Sequence, residues 1–175
     1  MGIPLAHVER SPTKRSMPTS TSFRQQLARL LAWEDAHAGF EKAVQRLPAA
    51  VRGAAPPGLP YSPWQLLEHI RLTQADILEF CVAARYEEKE WPRDYWPSAA
   101  VPPTVSAWDQ SIAGFRRDRD AMVALALDEA IDLEAPVPNG TGQTYLRELL
   151  LVADHTAYHL GELIVVRRLL GAWPR

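Results

Sequence analysis

Asp154-His155-Thr156-Ala157-Tyr158-His159-Leu160-Gly161-Glu162 sets two histidines four residues apart inside a long apolar run. On a helix that spacing stacks both imidazoles on one face, a turn apart. Burying two imidazoles side by side is costly unless something holds them. A divalent metal is the simplest such partner, because neutral imidazole is a favoured ligand for zinc, nickel and iron. The spacing also suits a pair of hydrogen-bonded core histidines, so the surrounding chain has to decide between the two.

Working outward, the periodicity predicts a helix from about Thr144 to Leu170, with Gly171 at the C-terminal cap position. Leu151, Val152, His155, His159, Leu163, Val166 and Leu170 share one broad face. Leu146, Leu150, Ala153, Ala157, Leu160 and Ile164 share roughly the opposite one. A second apolar stripe needs another helix or a second subunit, which points to a homodimer unless the helix is central in its own bundle.

Three further helical patterns precede it, separated by Pro-rich breaks. The first runs over Ser22–Leu47, with Leu27, Leu30, Trp33, His37, Phe40, Val44 and Leu47 at three- and four-residue steps. The second, to about Tyr86, is the best marked: Ser62-Pro63-Trp64-Gln65 joins an N-cap serine, a proline at the first position and a capping-box glutamine. Its inward face carries Leu66, His69, Thr73, Ile77 and Phe80. The third spans about Thr104–Ala126.

Between the second and third lies a connection, Glu87–Pro103, rich in Trp and Pro. So many large rings are expected to pack across the bundle. The length of this connection also lets the third helix start at either end, so a simple up-down order does not follow. With no convincing strand, repeat or phosphate-binding glycine motif, the expectation is an all-α four-helix bundle over 21–175 behind a polar arm, 1–20.

Composition narrows the function classes. The 175 residues are 47% apolar and 23% charged, with a formal net charge of -2. That balance draws the chain neither to nucleic acid nor to a membrane surface. No uninterrupted apolar run reaches the roughly 18 residues of a membrane span. The first 20 residues lack the apolar core of a signal peptide. The lone Cys81 rules out an intramolecular disulfide and a Cys-rich zinc site, and a reducing cytoplasm is the expected location.

His69, on the inward stripe of another helix, changes the weight of the opening motif. Three inward histidines from two helices form part of a coordination shell, with positions left for water or substrate. Familiar alternatives fail on spacing. The zinc-protease pattern needs Glu where Thr156 stands, and the di-iron pattern needs Glu where Leu66, Val152 and Thr156 stand.

Trp64-Gln65-Leu66-Leu67-Glu68-His69, followed by Asp154-His155-Thr156-Ala157-Tyr158-His159-Leu160-Gly161-Glu162-Leu163, resembles the DinB/YfiT-like superfamily of metalloenzymes. The resemblance covers about residues 21–173. It implies a four-helix bundle, commonly dimeric, with a divalent metal held by His69, His155 and His159; zinc or nickel is the leading ion and iron the next. Some members are S-transferases or isomerases that use low-molecular-weight thiols, and many have no known activity. The implied activity is therefore thiol transfer or hydrolysis on a small-molecule substrate, and the rival is a non-catalytic module whose metal is structural.

Other residues carry two readings each. Glu162 shares the histidine face and either orients an imidazole, moves a proton, supplies a fourth ligand, or sits on the rim as a carboxylate. His37 is either a core histidine or an acid/base lining the site. Asp76, seven residues beyond His69, has the same readings as Glu162. Asp154 points to the side of the histidine face, and Tyr158 is expected to be a packed aromatic, with a place at the cavity rim as its other reading. Cys81 is expected to be buried as a small hydrophobe. Arg116, Arg117 and Arg119 read as surface charge.

Overall fold

The structure, a computed structural model, describes residues 20–32 and 36–174. Residues 1–19 of the arm, with His7, and Trp33 of the first stripe lie outside the described residues. Within them the chain is all-α: α1 (Thr21–Leu30), α2 (Phe40–Val44), a 3-10 turn at Ala49–Val51, α3 (Pro63–Val82), α4 (Ala107–Leu127) and α5 (Tyr145–Leu169).

The single first helix that the stripe predicts over Ser22–Leu47 is two helices. α1 ends at Leu30, and α2 begins only after Gly39, whose extended backbone serves as its N-cap. A glycine inside a helix costs about 1 kcal/mol relative to alanine, and here the chain takes the break instead. The apolar spacing persists across it, but Leu47 is buried from a non-helical segment rather than from a helix face. Ser20, placed in the arm by its sequence, is the N-cap of α1 and accepts from the Phe23 amide at 3.2 Å.

The other helix ends follow their sequence signals. Ser62 accepts from the Gln65 amide while the Gln65 side chain accepts from the Ser62 amide, a complete capping box with Pro63 at the first helical position. Such a cap is worth about 1 kcal/mol and fixes the register of α3. Thr144 caps α5 through the Arg147 amide at 3.2 Å. Gly171, at φ 66, takes the left-handed conformation that closes α5.

α3 is the central element, packed on both α4 and α5, with α1 against α4. One apolar cluster joins Trp64, Leu66, Leu67 and Ile70 to Trp108, Ile112 and Phe115 and to Leu160, Leu163 and Val166. A second joins Ile77 and Cys81 to Met122, Leu125 and Ala126, to Leu149 and Val152, and to Leu27 of α1. The first halves of α3 and α4 thus share one end of the bundle, with the second half of α5. α3 and α4 run the same way and α5 runs against them. The Trp/Pro connection travels back along the bundle to permit this, and the Ala100 carbonyl accepts from the Ser62 hydroxyl at 2.5 Å at its far end.

Two buried arginines tie helix ends together. Arg167 of α5 is fully buried and donates to the carbonyls of Lys42, Ala43 and Gln45 at the end of α2. Burial pushes its pKa down. Arg24 of α1 donates to the carbonyls of Ala126 and Asp128 at the end of α4. A guanidinium offers five donors in a fixed fork, which suits the unpaired carbonyls and negative dipole end of a helix.

α5 is also long and apolar enough to cross a membrane by length and composition, with a mean hydropathy of 1.3 over its best 18-residue window. The expectation of no such segment counted uninterrupted apolar residues, and the window average passes over the polar ones. In this fold α5 packs along α3 and buries Glu148 and Arg167.

Candidate metal centre

The capping box starts α3 so that Leu66, His69 and Ile70 all enter the interior: their exposures are 0%, 1% and 0%. α5 lies along that face, and its Val152 and Leu163, both buried, bracket His155 and His159. The three imidazoles meet between the helices. His69 Nε2 lies 3.1 Å from His155 Nε2 and 3.1 Å from His159 Nε2. One ligand atom from each of the three histidines falls within 4.8 Å of the others.

The far side of two rings decides what those Nε2 atoms are. His69 Nδ1 donates to the Tyr95 carbonyl at 2.9 Å. His159 Nδ1 donates to Glu162 Oε2 at 2.7 Å. Each partner accepts only, so the Nδ1 of His69 and of His159 carries a proton and the other nitrogen, Nε2, turns to the cluster. Burial pushes the His69 pKa down to about 4, opposed by the Tyr95 carbonyl and assisted by His159. Burial, with the charges of His159 and His69, pushes His155 down to about 3. His69 and His155 are therefore neutral at pH 7, and three Nε2 atoms converging at close range form a group that could hold a cation. An ion about 2.0–2.1 Å from each histidine nitrogen requires those nitrogens to be roughly 3 Å apart; the two distances from His69 meet this, and with the whole set within 4.8 Å, a small rotation of His155 or His159 would close the third.

The Trp/Pro connection forms the wall of this centre. Trp96 stacks on His69, with centroids 3.7 Å apart and an interplanar angle of 9°, and Tyr61 stacks on the other side of Trp96 at 4.3 Å. Trp96 also meets His159 edge-on at 5.8 Å, and Trp91 meets His69 at 6.2 Å. Trp96 and Tyr61 cover one side of His69 and hold its plane, whereas Trp91, expected to pack with the other rings of the connection, is 65% exposed.

The other candidates sort by position. Glu162, about a third exposed, turns its carboxylate to His159 Nδ1 and so orients that ring. Asp76 is buried and accepts from the hydroxyls of Tyr86 and Tyr95, away from the histidine nitrogens. His37 does not lie on an inward helical stripe: the break before α2 leaves it exposed, with Nδ1 3.2 Å from the Ala38 carbonyl. It borders a different cavity of about 230 Å3, with Phe40, Phe115 and Arg119. Cys81 is buried in the core, and burial, then the Glu148 charge, push its thiol up to about 12. Asp154 is exposed, and Tyr158, 66% exposed, lies edge-on to His159 at 4.8 Å instead of being packed away. Arg116 and Arg119 pair with Glu41, and Arg117 pairs with Asp118.

Sequence reasoning missed the Tyr95 carbonyl as the partner of His69 and Trp96 as its stacking face. The aromatic density of 91–96 was the available signal; the backbone acceptor carries none.

The sequence model of the DinB superfamily matches residues 32–163, a span that takes in all three histidines. No curated protein and no solved structure matches the chain.

Proposed function

The chain belongs to the DinB superfamily, a metal-binding family, and on that footing we propose that it is a metal-dependent enzyme acting on a small molecule. The observation that carries this reading is the convergence of three histidine Nε2 atoms from α3 and α5. His69, His155 and His159 would hold one divalent ion, zinc or nickel before iron. When bound, such an ion supplies Lewis acidity that draws the pKa of a thiol or a water toward neutrality. The reaction class we favour is transfer involving a low-molecular-weight thiol, with hydrolysis as the other outcome of the test below.

The chain's own residues supply the rest. Tyr95 and Glu162 fix two rings with their Nε2 atoms inward, and Trp96 shields the centre from bulk water. A groove of about 650 Å3 is lined in part by Thr73, Tyr95, Gln143 and Leu151, and reaches the centre's surroundings through Tyr95, whose carbonyl holds His69. Thr73 stands one turn after His69, and Leu151 one turn before His155. The Thr73 hydroxyl is buried with no hydrogen-bond partner among the described residues.

The ligand group counts three residues, without a fourth carboxylate or thiolate among the described residues. A structural site is closed by four protein ligands and a catalytic one keeps a position open, which supports the enzyme over the structural module. The test is a screen of metal-loaded and metal-stripped protein with common low-molecular-weight thiols and electrophilic acceptors, with esters and amides as hydrolytic substrates. Metal-dependent turnover is expected, and its absence from every class with metal bound would favour the module.

The exposed face of α5 supports a homodimer. Leu150, Tyr158, Val165 and Leu169 are 45%, 66%, 47% and 61% exposed along one side of the helix. Sedimentation should show a dimer that Val165→Asp weakens, and a monomer at every concentration would contradict it.

A further inference from the structure

We infer that Asp76 is a positioning residue for the metal centre, acting through Tyr95. The inference rests on the reading of the three histidines as a metal site. Asp76 lies seven residues beyond His69 on α3 and is 8% exposed. Its Oδ2 accepts from the Tyr95 hydroxyl at 2.6 Å and its Oδ1 from the Tyr86 hydroxyl at 3.0 Å, with Lys89 Nζ 3.7 Å from Oδ1. Burial first, and the Asp76 carboxylate next, push the Tyr95 hydroxyl pKa well above its ordinary value, so it remains a donor.

Tyr95 is thus held at both ends. Its hydroxyl is tied to Asp76, while its carbonyl accepts the His69 Nδ1 proton and its neighbour Trp96 stacks on the His69 ring. One buried carboxylate on α3 thereby fixes the segment that sets the tautomer and plane of a histidine on the same helix. The connection is long and otherwise irregular, and a carbonyl on such a segment orients a ligand only if the segment itself is anchored. Partners of this kind behind a metal ligand typically contribute 10- to 100-fold to metal affinity.

Tyr86 supplies the comparison: it bonds the same carboxylate and its hydroxyl touches that of Tyr95, but its backbone carries no bond to His69, and Tyr86→Phe leaves the Asp76–Tyr95 bond in place. Zinc is titrated into the metal-free wild type, Tyr95→Phe, Tyr86→Phe and Asp76→Asn, with thermal midpoints of the metal-free proteins and cobalt absorption spectra recorded beside it. Tyr95→Phe and Asp76→Asn should weaken zinc binding by about tenfold and change the cobalt spectrum, and Tyr86→Phe should stay within about twofold. The two tyrosine variants should lose similar stability, since each removes one hydroxyl from Asp76. Equal zinc affinity in the two tyrosine variants, or wild-type affinity in Asp76→Asn, would overturn the inference alone. A wild type that takes up no zinc would overturn the metal reading and this inference with it.

Discussion

His37 and His69 occupy equivalent places in the sequence, each on a predicted inward stripe between large apolar residues, yet they end in opposite surroundings. His69 is 1% exposed, stacked on Trp96 and held by a carbonyl. His37 is exposed in the break between α1 and α2. The difference lies in what fixes each helix. α3 has a complete capping box and packs against two neighbours, so its register is determined from its first residue. The Ser22–Leu47 stripe has no side-chain cap hydrogen bond on its second half, where Gly39 is the N-cap. Apolar spacing shows which residues want to be buried; the cap and the packing determine whether one continuous helix buries them.

The largest test of this comparison is acidification. His69 and His155 have folded pKa values near 4 and 3, both below the ordinary 6.5. Between those values and 6.5 the unfolded chain binds more protons, so folding stability of the metal-free protein falls as pH falls through that window. One such histidine accounts for about 1.4 kcal/mol per pH unit. His155→Gln should therefore show a stability profile shallower by about that amount between pH 6 and 4, measured by urea unfolding. Profiles of equal slope would show that the fold does not hold His155 neutral.

A smaller effect is expected at Glu162. Glu162→Gln keeps the size but removes the charge that holds the His159 proton, and zinc affinity should drop about tenfold with stability nearly unchanged. Unaltered affinity would reduce Glu162 to a rim carboxylate. The smallest effect sharpens the contrast from the other side: His37→Ala should leave zinc affinity within about twofold and stability within about 0.5 kcal/mol, as for an exposed residue. A large loss of metal in that variant would place His37 at the centre after all.

The legible parts of the chain are those with local signals. The cap at Ser62, the start of α5 near Thr144, the left-handed Gly171 and the inward faces of α3 and α5 are all read from neighbours within a turn or two. The three histidines come from the same faces and from the family resemblance. What stayed hidden acts over long separations: Arg167 reaches the end of α2, Asn139 donates to the Phe80 and Ala83 carbonyls to close α3, and Asp76 clasps Tyr95. Arginine and aspartate usually read as surface charge, and nothing in their neighbours announces a buried backbone partner. The parallel course of α3 and α4 was open for the same reason, because the Trp/Pro connection is long enough for either direction.

The central claim is that the α3–α5 seam is a three-histidine metal site. Its most direct test is zinc stoichiometry and affinity of the wild type beside His69→Ala, His155→Ala and His159→Ala, with circular dichroism to confirm folding. The wild type should bind one zinc per chain, and each folded variant should lose more than 100-fold in affinity, beyond the loss typical of an outer partner. Equal zinc binding in all four proteins would contradict the site.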